Sequence, residues 1–174
     1  QRARCAADRD HRARHRSVVD ALDRIHRDAA GVWSRRCAGD EPLWVTVGRG
    51  TSRWVPPVDL ADRGRLDAEL LLAIESCERL DDVAVPLALE ASSTIAVHGP
   101  PAVTESLCRS MIVQLAADYG PADWELRVVA DDPGRWGWVS WLPHARQRHS
   151  LVAATDAAAL AAAMEPCADD DLRR

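Results

Sequence analysis

The stretch that most limits what this chain can fold into runs from Thr94 to Ala117. An apolar segment, Thr94-Ile95-Ala96-Val97-His98, enters a turn at Gly99-Pro100-Pro101, and Leu107 to Ala117 leaves it with a helical pattern. Strand, loop and helix in that order form the setting in which G-x-x-x-x-G-K-[ST] cradles phosphate. Gly99 and Ser106 fill the outer positions of that pattern. Thr104 replaces the second glycine, and Glu105 stands where the phosphate-binding lysine belongs.

The chemistry of the substitution is unfavourable for nucleotide. A working loop aims backbone N–H groups and a lysine at the phosphates, at the positive end of a helix. A carboxylate in that place repels a phosphate charge ~4 Å away by roughly 1 kcal/mol in bulk water and about 4 kcal/mol near a protein surface. No neighbour compensates with a lysine, because all basic residues apart from histidine are arginines. Pro100 and Pro101 also lack N–H donors. Thr104 reads instead as a helix N-cap and Glu105 as a first-turn partner of the helix dipole. No catalytic residue and no bound cofactor are expected; ATP with Mg²⁺ would be held only if the degenerate loop of Gly99, Thr104, Glu105 and Ser106 still bound it.

At 174 residues and 47% hydrophobic content the chain has room for one ordinary domain and an appendage. Phenylalanine is absent, so seven tryptophans and the aliphatic residues must build the core. A net charge of −5 argues against general nucleic-acid binding. Cys5, Cys37, Cys77, Cys108 and Cys167 are scattered, with no C-x-x-C. That spacing predicts neither a zinc site nor a disulfide framework, and suits a reducing compartment. His144 and His149 have no acidic or thiol partner nearby in sequence, so no metal site is expected. No apolar run is long enough to span a membrane. The chain opens on Gln1 rather than Met, as a piece of a longer protein would.

The charge is unevenly spread. Arg2, Arg4, Arg9, Arg12, Arg14 and Arg16 precede a narrow apolar stripe of Val18, Leu22, Ile25, Ala29 and Trp33 at helical spacing. Residues 1–36 therefore read as one long basic stalk helix, either a solvated charged face or positive charge just inside a membrane behind an absent transmembrane segment. Next, Leu43 to Val47 alternates as a strand, Gly48 to Ser52 turns, and Trp54-Val55 resumes before Pro56-Pro57. Leu66 to Leu80 has helical spacing, Val85 to Leu89 reads as a strand, and Ala91 to Ser93 turns towards Thr94. Trp124 to Ala130 and Leu151 to Ala154 read as strands, and Asp156 to Met164 as a helix. This order predicts an α/β fold: an incomplete P-loop or RecA-like parallel sheet with flanking helices over 37–174, after the stalk and a short β element. Val128 to Asp132 has a Walker B outline, but Asp131-Asp132-Pro133-Gly134 is first of all a turn.

The most distinctive segment is Trp136-Gly137-Trp138-Val139-Ser140-Trp141-Leu142-Pro143-His144. Its indoles could cover one end of a sheet while their N–H groups find edge partners. Stacking on single-stranded nucleic acid would also use tryptophan beside Arg135 or Arg146, but the net charge favours a loop packed on its own domain. The segment resembles the W-x-W-x-x-W-L-P-H stretch of the EccC/EssC proteins, FtsK/SpoIIIE-type ATPases of type VII (ESX) secretion systems. Further resemblance runs through Val32 to Asp40, Leu43 to Gly50, Val85-Pro86-Leu87, and Gln114-Leu115-Ala116 with Pro121. Gly137 and Ser140 depart from it, standing where Asp and Lys are common.

The resemblance implies a membrane-proximal, ATPase-like domain that stops short of a full RecA-like sheet. It further implies a non-catalytic role at the cytoplasmic face of the cell membrane, coupling the motor domains to the membrane part. Implied partners are other domains of the same ATPase and membrane-core subunits, including one with ubiquitin-like domains; a homo-oligomer is possible. Trp136, Trp138, Trp141, Pro143 and His144 are then interaction or structural residues. Two alternatives stand beside this reading: a nucleotide-binding FtsK/SpoIIIE-like ATPase domain, and a Trp-loop interaction module outside secretion.

Overall fold

A computed structural model describes residues 2–27, 31–37, 39, 41–54, 67–69, 71–72, 78–145 and 151–153. They fall into two compact units, Gln1–Tyr119 and Gly120–Arg174. Of the helix expected over 66–80, residues 68–69 and 71–72 are helical among the described residues, whereas Arg79 and Leu80 belong to a strand; the helix expected over 156–164 lies outside the described residues, as do Cys77, Cys167, His149 and Arg146.

The basic N-terminal segment is two helices rather than one stalk: α1 (Arg2–Arg14) and α2 (Val18–Arg27). The break at His15 to Ser17 has a local cause. The Ser17 hydroxyl accepts from the Asp20 N–H at 3.3 Å, and Asp20 Oδ2 accepts from the Ser17 N–H at 2.8 Å. This reciprocal capping starts a new helix where the periodic pattern ran straight through. Burial works against the Asp20 carboxylate, yet the two Ser17 donors, with Arg24 and Arg16 beside it, hold its pKa below the usual aspartate value. The apolar stripe is also rotated from expectation. Ala21 is the buried residue of α2, while Leu22 and Ile25 are exposed.

The central element of the first unit is an antiparallel pair, β1 (Leu43–Arg53) and β2 (Arg79–Leu89). Gly48 to Ser52 do not turn the chain. They continue β1 through two register shifts, between Thr46 and Gly48 and between Gly50 and Ser52. Glycine suits such bulges, and Gly50 also lies close to the facing strand, where an added Cβ would come within 3.1 Å of Val85 Cγ2. Arg49 clasps Asp82 across the pair at 2.6 Å. That contact raises the Arg49 pKa and lowers that of Asp82.

The outer edge of β1 is closed by side chains of α3 (Pro101–Asp118). Gln114 Oε1 accepts from the Thr46 N–H and Gln114 Nε2 donates to the Thr46 carbonyl, both at 2.9 Å. Tyr119 Oη accepts from the Trp44 N–H at 2.9 Å. The Gln114 amide thus takes the place of a neighbouring strand at one register position. Because Thr46 turns its polar backbone towards α3, Pro86 opposite it removes no donor from the β1–β2 ladder.

The carboxyl end of α3 is completed by residues far away in sequence. The Trp33 and Arg35 N–H groups donate to the carbonyls of Ala117 (2.8 Å) and Asp118 (3.0 Å), and Trp33 Nε1 to that of Ala116 (3.0 Å). These are among the last-turn carbonyls that a helix leaves unpaired. Asp118, buried at 4% exposure, sits among three arginines from the N-terminal segment. Arg24 reaches its Oδ1 at 2.5 Å, Arg16 at 3.7 Å, and Arg35 approaches Oδ2 at 3.8 Å. Part of the basic run is therefore internal counter-charge. α1 is tied down as well, because His11 Nε2 donates to the Ala84 carbonyl of β2 at 2.7 Å.

In the second unit, β3 (Val128–Ala130) pairs in parallel with β4 (Leu151–Ala153). A 3₁₀ helix, Pro133–Trp141, lies between them in sequence. The expected α/β character is present, but the multi-stranded parallel sheet is not found among the described residues. Sheets there are one antiparallel pair and one parallel pair. Thr94 to His98, expected as the strand entering the loop, pairs with no strand among the described residues.

Candidate functional site

The Gly99–Ser106 segment is mostly helix. α3 starts at Pro101 with Pro100 as its N-cap, four residues earlier than a Thr104 cap would allow. Proline fits that start, since its missing N–H falls where a helix has no acceptor for one. The N-cap reading of Thr104 is therefore corrected, and so is the first-turn reading of Glu105, because the first turn of α3 contains no acidic residue. Thr104 Oγ1 donates to the Pro101 carbonyl at 3.0 Å, and Ser106 Oγ to the Ala102 carbonyl at 2.7 Å. Glu105 pairs with Arg109 one turn along. Gly99, at φ 155°, is the remaining turn residue, in a conformation other side chains rarely adopt.

The geometry has a direct chemical consequence. A phosphate cradle needs several successive N–H groups outside the helix, converging on one point. Here residues from Pro101 onward are helical, and the hydroxyls of Thr104 and Ser106 are turned onto their own backbone.

The Trp-rich segment, in the other unit, is partly core and partly surface. Val139 and His144 are fully buried, Trp136 and Trp138 half-buried, and Pro143 exposed. Trp141 is 87% exposed. Trp136 and Trp138 have ring centroids 6.3 Å apart with planes 29° from parallel. The buried anchor is His144, with a partner the sequence pattern did not single out: the half-buried Trp124 stacks on it at 4.5 Å, while the Leu126 N–H donates to the His144 carbonyl at 2.9 Å. Asp132 Oδ1 accepts from the Gly134 N–H at 3.1 Å, starting the 3₁₀ helix with an Asx turn.

Among the described residues no group of three or more His, Cys, Asp or Glu side chains converges as a metal site. No described helix is long and apolar enough to cross a membrane. Asp118 and Trp124 are structurally decisive residues missed from sequence, and Gln114 stood out there only through the resemblance, not for its role. Gln114 left a signal, a lone amide between the apolar residues Val113 and Leu115.

No family model matches the chain. Individual proteins do. It is 28% identical over 123 residues to the ESX-4 secretion system protein EccC4 of Mycobacterium tuberculosis, covering 65% of this chain and 10% of that protein. An ESX secretion system protein EccC of Thermomonospora curvata is 28% identical over 122 residues, covering 65% and 9%. The ESX-1 secretion system protein EccCa1 of M. tuberculosis is 32% identical over 83 residues, covering 47% and 10%. The matches thus span about a tenth of the relatives' own length. The resemblance drawn from the Trp-rich segment and these separate matches agree: over about two thirds of its length the chain is similar to EccC proteins of ESX secretion systems.

Proposed function

We propose that this chain is a non-catalytic cytoplasmic coupling domain of a type VII secretion ATPase, joining its membrane part to the motor domains during protein export. The observation that carries the reading is the helical start of α3 at Pro101, with Glu105 engaged by Arg109. Nucleotide hydrolysis is assigned to other domains of the parent ATPase. The partners are those domains and the membrane-core subunits of the same system. In this reading Gly99, Thr104, Glu105 and Ser106 mark the place of an ancestral phosphate loop whose ligand geometry has been lost to the helix.

Titration of the chain with a fluorescent ATP analogue and Mg²⁺ tests the reading. No saturable signal up to millimolar analogue is expected. Saturable binding abolished by Gly99→Val would move the assignment to a nucleotide-binding ATPase domain. A second reading, that the Trp-rich segment is a protein contact, is favoured by one side chain, since an indole as exposed as that of Trp141 adds little to its own core. Within the parent ATPase, Trp141→Ser would then reduce export while leaving the stability of this chain unchanged.

A further inference from the structure

The first unit holds a basic cleft that the secretion reading does not use. It has a volume of about 740 Å³ and lies where the α1–α2 break meets the segment leading into β1. Arg14, Arg16, Arg35 and Arg36 line it, Glu41 is the one lining carboxylate among the described residues, and Trp44 supplies an aromatic wall. The four arginines are not equivalent. Arg16 and Arg35 approach Asp118, whose charge they help to balance. Arg14 and Arg36 have no side-chain partner among the described residues, and both are exposed.

Two features make this more than a solvated basic face. The cleft is held open by contacts that do not use the free guanidinium groups. Arg35 donates to the Arg14 carbonyl, the Trp44 N–H is held by Tyr119, and Asp118 fixes Arg35 from behind. Free guanidinium groups on a preorganised wall keep their full donor forks for an incoming anion. The local potential is also positive enough to act on a neighbour. Burial lowers the pKa of His15, in the same wall, and the charges of His11, Arg35 and Arg14 lower it further.

We infer that this cleft binds a polyvalent phosphate anion, with Arg14 and Arg36 as the ligating side chains and Arg16 and Arg35 as supporting charge. Guanidinium forks match phosphate oxygens bidentately, and the volume accommodates more than one phosphate group. Such phosphate can arrive free in solution or as the headgroup of an anionic lipid, and the experiment separates the two.

The full chain is titrated calorimetrically with inorganic pyrophosphate and with inositol hexakisphosphate, and is co-sedimented with phosphatidylcholine vesicles carrying phosphatidylglycerol. Saturable binding is expected in one arm, weakened about tenfold by Arg14→Gln and by Arg36→Gln taken singly, the loss of one charged hydrogen-bonding pair. Arg79→Gln makes the same charge change on β2, outside the cleft, and is expected to leave binding unchanged. Binding to the soluble phosphates assigns a free ligand, and binding to the vesicles alone assigns a headgroup. The inference is overturned by no binding in either arm, or by losses no larger than that of Arg79→Gln. Equally tight, Arg36-dependent binding of poly-glutamate overturns the phosphate assignment in favour of an acidic peptide.

Discussion

Replacing Gln114 by methionine keeps the length of the side chain and removes both ends of its amide. The cost follows from the groups left behind. The Thr46 N–H and C=O lose partners at 2.9 Å in a place where Thr46 is 8% exposed and Gln114 3% exposed. An unsatisfied buried backbone group costs about 1–3 kcal/mol. Two such groups, with some water reaching an edge position, give an expected loss of about 2–4 kcal/mol. Gln114→Glu separates the halves, since a carboxylate still accepts from the Thr46 N–H but cannot donate to its carbonyl. Urea denaturation is expected to rank wild type above both variants, Gln114→Glu also bearing the cost of a buried carboxylate facing the Thr46 carbonyl. Hydrogen exchange supplies the local readout, with the Thr46 amide deprotected in Gln114→Met and still protected in Gln114→Glu. A Gln114→Met variant within about 0.5 kcal/mol of wild type, the range of an ordinary surface change, with Thr46 still protected, would refute the reasoning.

Other expectations follow from the same kind of accounting. Asp118→Ala leaves three arginines facing one another, and because they keep some solvent the loss should be about 1–3 kcal/mol, below the range for a fully buried pair, measured by thermal unfolding. Ser17→Ala should cost about 1 kcal/mol through the α2 cap. The folded-state pKa of Asp20 is depressed, so its contribution is present above the ordinary aspartate value and disappears as pH falls through the folded value; Asp20→Asn should flatten that limb of a stability–pH curve. His15 is also depressed, so the unfolded chain takes up its proton first on acidification. Stability should begin to fall below about pH 6.5, and His15→Gln should remove that component. Trp141→Ser is expected to leave stability within about 0.5 kcal/mol of wild type, whereas Val139→Ala, at a fully buried position, should be clearly destabilising in the same denaturation series.

What the chain revealed before folding was its local physics. Leu43 to Val47, Val85 to Leu89 and Leu151 to Ala153 are strands as their patterns indicate, and the helix after Gly99 is present. Strand direction was not legible, because alternation fixes which face is buried and says nothing about which neighbour pairs. A glycine pair such as Gly48 and Gly50 usually marks a turn, and the bulges that absorb it here depend on β2. The long basic helix failed for a similar reason. Its period continued through residues 15–17, while the interruption depends on a reciprocal cap whose weight shows only once Ala21 and Arg24 must face α3. Glu105 was visible as an anomaly, but Arg109 as its partner required the helix to begin at Pro101. In the Trp-rich segment the pattern marks the indoles and His144; His144 is fully buried, Trp141 is exposed, and Val139, which no pattern marks, is fully buried as well.

The completion of α3 by Trp33 and Arg35 also bears on the order in which the unit can assemble. Trp33 and Ala116 are 83 positions apart, and Arg24 and Asp118 are 94 apart. Closing so long a loop has an entropic cost that must be met before these contacts return anything. During synthesis the capping residues leave the ribosome well before the helix end they cap. Until that end emerges, the three arginines have no buried acid to balance, and afterwards the last turn of α3 frays until the loop closes. The carboxyl end of this helix is thus a late event in folding, and the slowest amide protection in refolding should be found there.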